Sequence, residues 1–170
     1  MDDPIRDQVV ALLKGGQAHV TFDDAVKDFP AKQRGVKPNG MPYTAWQLLE
    51  HIRLAQWDIL EFSRDSKHTS PKWPEGYWPE TEKPPSDAAW NNSIAAVKRS
   101  LLEMQNLIND PKTDLNAKIP HGTGQTILRD QGAPHVDFAR GPLLGRIERR
   151  GSRAAVERVS HRRSRRCDSR

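Results

Sequence analysis

His51 is the side chain of this sequence best placed to do chemistry, with Asp58 two helical turns further along. Both lie in the stretch Thr44-Ala-Trp-Gln-Leu-Leu-Glu-His51-Ile-Arg-Leu-Ala-Gln-Trp-Asp58-Ile-Leu-Glu-Phe62-Ser. A histidine directed toward the middle of a helix bundle is equipped for chemistry by its imidazole. The plainer alternative stands beside it: a lone inward histidine is more often a satisfied polar residue of the core.

The element that carries His51 is a helix with a clear start. Thr44 is a good N-cap, Gln47 three residues on can bond back to it, and Pro42 discourages an earlier start. Leu48, Leu49, Ile52, Ala55, Ile59 and Phe62 recur at three- and four-residue spacing and predict one buried stripe, with His51 on or beside it. Upstream, Asp3 and Pro4 open a first helix whose inward residues are Ile5, Val9, Leu12 and Leu13, interrupted at Gly15-Gly16. Thr21 to Phe29 reads as a short continuation stopped by Pro30. Downstream, Ser86 caps a helix in which Trp90, Ile94, Val97, Leu101, Met104 and Ile108 step alternately by four and three, a seam that packs against neighbouring helices.

Between these helices lies a proline-rich linker, residues 64–85, that holds Trp73, Tyr77 and Trp78. Long segments without secondary structure of their own are uncommon in compact domains and often functional. Its aromatic residues either cover a pocket mouth, bind a partner, or lie on the bundle to bury its surface. After Pro111 a looped connection leads to His121, set in a Pro-His-Gly turn either as a ligand or substrate contact or in a turn-forming role. Thr123 to Arg129 resembles the first turn and a half of a further helix, but Gly132, Pro134, Gly141, Pro142 and Gly145 break any stripe beyond it.

Charge divides the chain at the same place. Residues 140–170 contain eleven Arg, no Lys and three acids, a net charge of +8; against +5 for the whole chain, residues 1–139 carry −3. The composition of the tail predicts disorder. A single cysteine, Cys167, excludes an intramolecular disulfide framework and a cysteine-based zinc knuckle. No apolar run is long enough to span a bilayer, and the acidic start, Met-Asp-Asp-Pro-Ile-Arg-Asp, lacks the pattern of a secretory signal. A cytoplasmic protein is the resulting expectation.

Up to about Arg129 the chain resembles the DinB-like domain family, which includes bacillithiol-dependent transferases and metal-dependent hydrolases. The resemblance rests on Trp46-Gln-Leu-Leu-Glu-His51-Ile-Arg-Leu-Ala-Gln-Trp57-Asp58-Ile, on the Trp-Pro-rich linker and on Ile119-Pro-His-Gly-Thr-Gly-Gln-Thr-Ile-Leu-Arg129. It implies an all-α, up-down-up-down four-helix bundle over residues 1–129 and a homodimer; this chain departs from it in a fourth helix that is disrupted or missing and in an Arg-rich tail over 130–170. It also implies a divalent metal, nickel or zinc, on three histidines. His51 falls at the position of the first, and a His-x-x-x-His pair on the fourth helix supplies the others.

That pair is absent from this sequence. His121, His135 and His161 remain, and no two of them share a helical face. The loss of Lys and of periodicity, with an excess of Arg, Gly and Ser, is what a GC-rich gene yields when translated out of frame. Three functions compete: a metal-dependent hydrolase or thiol transferase scaffold with an incomplete site, a non-catalytic binding or stress-response bundle, and nucleic-acid binding through the tail. Eleven arginines seek phosphate, but without interleaved aromatics or a groove-reading helix they predict no sequence-specific contact.

Overall fold

Local capping chemistry sets where the helices begin. Asp3 accepts hydrogen bonds from the backbone of Ile5 and Arg6 and opens α1, Pro4–Lys14. Thr21 caps the short α2, Phe22–Val26. Thr44 and Gln47 form the reciprocal capping box expected for α3, Ala45–Arg64, each side chain bonding the other's backbone N–H at 3.1 and 3.0 Å. Ser86 caps α4, Asp87–Asn109. The computed structural model describes residues 3–16 and 20–128, and among these the protein is all-α, with one isolated bridge, Lys118 to Thr126, and no strand. No helix among the described residues is long and apolar enough to cross a membrane.

The helices α3 and α4 run parallel. Glu50 accepts from Ser93, Gln56 donates to the Val97 carbonyl and Arg64 pairs with Glu103, so contacts advance in the same direction along both. Arg6, at the start of α1, donates to the carbonyls of Ile108, Asp110 and Thr113 at the end of α4, so α1 is antiparallel to that pair. The expected up-down-up-down order therefore does not hold, and the three long helices run up, down, down. The reason lies in the linker. A helix of 20 residues is about 30 Å long, and a parallel successor requires a connection that returns that whole length.

Residues 65–85 make this return as a strap along α3. Going along it, His68 meets Asp58, Tyr77 meets Asp58 and His51, Thr81 accepts from the Trp46 indole, and the Glu82 carbonyl accepts from the fully buried Thr44. The only regular structure in it is a short 3-10 turn at Glu75–Tyr77.

Two apolar clusters fill the interior. One joins Val9, Val10 and Leu13 of α1 to Leu60, Met104, Ile108, Leu115 and Ile127; the other joins Phe22 to Ala45, Trp46, Leu49, Ile52, Trp90 and Val97. The α4 seam is as expected at Trp90, Val97, Met104 and Ile108, while Ile94 and Leu101 are half-buried. In α1 the face differs from the expected one: Ile5 and Leu12 are 52% and 43% exposed and Val10 is buried instead. Arg6 turns the helix, because its guanidinium must reach the end of α4. Ala55, Ile59 and Phe62 are only half-buried, while Trp46, Glu50, Gln56, Asp58 and Leu60 are buried. Here α3 is covered on two sides, by α4 and by the strap, so no single stripe describes it.

The helix expected from Thr123 starts later. Residues 123–126 form a turn in which the Gln125 side chain accepts from the Thr123 backbone and Gly124 takes φ +116°, and helical backbone resumes at Ile127 and Leu128. The expected break in the fourth helix, the tail, His135 and His161 all lie outside the described residues.

Candidate functional site

Two side chains on one face of α3, His51 and Asp58, are met by Tyr77, Trp78 and His68 of the strap. His51 and Asp58 are seven residues apart, two turns of helix, and so point the same way. The strap lies over both. His51 Nδ1 donates to the Tyr77 carbonyl at 2.9 Å, and the imidazole stacks on the Trp78 indole at 4.1 Å with an interplanar angle of 7°. Trp78 stacks in turn on Tyr43, also at 4.1 Å. His51 is half-buried, and its Nε2 has no hydrogen-bond partner among the described residues.

Asp58 is buried and both its oxygens are used. Oδ2 accepts from the Tyr77 hydroxyl at 2.6 Å and Oδ1 from His68 Nε2 at 2.7 Å. The second contact becomes an ion pair only when the imidazole is protonated. Burial, and then the hydrogen bond to the Asp58 carboxylate, push the Tyr77 phenol up to about 12. Tyr77 therefore stays protonated throughout the physiological range and donates its hydrogen bond to Asp58. The exposed ring of Trp57 meets His68 edge-on at 5.2 Å.

His121 is elsewhere. Its ring packs on Phe62 at 4.6 Å, near the end of α3, and both ring nitrogens are buried without a partner among the described residues. Phe62 lies eleven residues beyond His51 on the helix, so the Pro-His-Gly turn is not brought to His51. Of the strap aromatics, Tyr77 and Trp78 lie on the helix, and Trp73 is 68% exposed. The first two thus serve packing, as one of the three readings held, and Tyr77 adds two polar anchors that its apolar description concealed.

Among the described residues no group of three His, Cys, Asp or Glu side chains is arranged to hold a metal ion. His68 is the member of the cluster that sequence reasoning missed. It stands in the strap outside any helical period, and its partner is ten residues earlier across the end of α3. Its signal was faint: a histidine shortly after a helix that carries an aspartate on the same face as His51. Comparison of the chain with family models, with characterised proteins and with solved structures returned no match.

Proposed function

We propose that this chain is a DinB-like helical-bundle protein, the scaffold of a metal-dependent hydrolase or thiol transferase, whose metal site is incomplete as the chain is written. The observation that carries this reading is the state of His51. Its Nδ1 donates to a main-chain carbonyl, and its Nε2 has no partner among the described residues. A histidine that binds a metal through one nitrogen commonly gives its other N–H to a carbonyl or carboxylate in this way. In this reading Ile127 and Leu128 begin the fourth helix of the bundle, and the protein is a cytoplasmic homodimer without a specific nucleic-acid partner.

The donor set does not fit a resident nickel or zinc ion. A stable site of this kind needs three protein ligands, and the second and third belong to a His-x-x-x-His pair that the sequence lacks. The described residues do not replace them. Among the described residues this leaves one neutral nitrogen, which does not compete with water for a catalytic metal.

A second reading, a non-catalytic binding or stress-response bundle, draws on the strong exposure of Trp73. The gene separates the two. If the incomplete site results from a shift of frame, one of the other two frames downstream of codon 129 encodes an amphipathic helix with His-x-x-x-His. If neither frame does, the scaffold reading loses its ligands altogether and the binding reading takes its place.

A further inference from the structure

We infer that Tyr77 and Asp58, with His68 behind them, are positioning residues that fix the tautomer and the orientation of His51. The inference rests on the reading of His51 as a ligand position, but its chemistry stands on contacts within the protein alone.

A neutral imidazole has one N–H and one lone pair, and the bond made by one nitrogen decides which chemistry the other offers. The Tyr77 carbonyl can only accept. At 2.9 Å from Nδ1 it holds the proton there and leaves the lone pair on Nε2. That carbonyl, however, belongs to a strap that has only a 3-10 turn of its own, so something must hold it in place.

The same residue supplies the anchor. Tyr77 bonds α3 twice, by its carbonyl to His51 and by its hydroxyl to Asp58, which lies about 10 Å further along the same helix face. Both ends of the clamp are thus fixed to one rigid element. Asp58 cannot drift toward another donor, because its second oxygen is held by His68, itself in the strap and only 8% exposed at its side chain. Trp78, the next residue, lies parallel to the His51 ring at 4.1 Å and sets its plane. Three consecutive contacts, His51 to Tyr77 to Asp58 to His68, thus link the imidazole to the beginning of the strap. The two contacts of Asp58 are not explained by apolar packing, which would be served equally well by Phe at 77 and Leu at 58.

The test is the tautomer itself, read from long-range 15N–1H correlations of the histidine rings of the full chain. It is run at pH 8, where an ordinary histidine is neutral, with His51→Ala to assign the signals. The wild type is expected to show His51 as the Nδ1–H form. In Tyr77→Phe, which keeps the carbonyl and removes only the anchor, the ratio of Nδ1–H to Nε2–H forms falls about tenfold, equal to about 1.4 kcal/mol. Asp58→Asn gives a fall in the same direction, and His68→Gln, whose amide can still donate to Asp58, keeps the wild-type ratio. Far-UV circular dichroism confirms that the helices persist in each variant; Tyr77→Phe, which adds no buried polar group, decides the matter if Asp58→Asn fails to fold. A wild type in the Nε2–H form, or a Tyr77→Phe variant with the wild-type ratio, overturns the inference. The readout contains no metal, so its failure is distinct from a failure of the scaffold reading.

Discussion

Replacing Trp90 with alanine is expected to lower folding stability by about 3–5 kcal/mol, the range for removing a large aromatic from a packed core. Trp90 is 3% exposed and lies where α3, α4 and the segment between α2 and α3 meet. Its ring stacks with Phe29 at 5.5 Å and faces Trp46 at 6.5 Å, and the Arg34 guanidinium covers it at 4.7 Å. Truncation opens a cavity and also strips the guanidinium of its aromatic platform, a contact worth about 0.5–2 kcal/mol in its own right. Trp73→Ala is the natural control, since a ring that is 68% exposed has little burial to lose. Its stability should change by no more than about 0.5 kcal/mol. Urea denaturation followed by circular dichroism measures both, and equal losses at the two positions would refute the assignment of the core.

The second large effect is expected at Asp58. In Asp58→Leu the branched shape of the side chain is kept but two donors lose their acceptor, the Tyr77 hydroxyl and His68 Nε2. Each buried donor left unpaired costs about 1–3 kcal/mol. Removing donor and acceptor together costs less than removing the acceptor alone, so Asp58→Leu combined with Tyr77→Phe should be more stable than the sum of the single losses predicts. A double-mutant cycle in urea measures this coupling. Strict additivity would mean that the short contact between the two side chains contributes nothing, and that the strap is held by its aromatic residues alone.

These contrasts mark what was legible in the residues and what was not. The helix starts at Asp3, Thr21, Thr44 and Ser86 were readable because a cap is a bond between a side chain and the backbone two or three residues away. The α4 seam was readable because its period is strict. The direction of α4 was not, since periodicity is blind to whether two helices run parallel or antiparallel. A signal did exist: the linker is far longer than a turn between antiparallel neighbours needs, and long enough to return along the whole of α3. The exposed Ile5 and Leu12 were misjudged because the facing of α1 is set by Arg6, a residue more than a hundred positions from the carbonyls it holds.

The candidate site divides in the same way. His51 and Asp58 share a face by helical geometry alone, so their relation could be read from spacing. The bond between Asp58 and His68, and the double role of Tyr77, depend on the path of the strap, which no local rule fixes. Tyr77 was visible as an aromatic residue and hidden as a polar one.

The central claim is that His51 is presented like a ligand in a chain that does not complete a metal site. It is tested most directly by the nickel and zinc content of the full chain, purified without affinity metals, dialysed and analysed by mass spectrometry beside His51→Ala. The account predicts far less than one metal ion per chain, with no difference between the two proteins. One tightly held nickel or zinc ion per chain in the wild type, lost in His51→Ala, would contradict it.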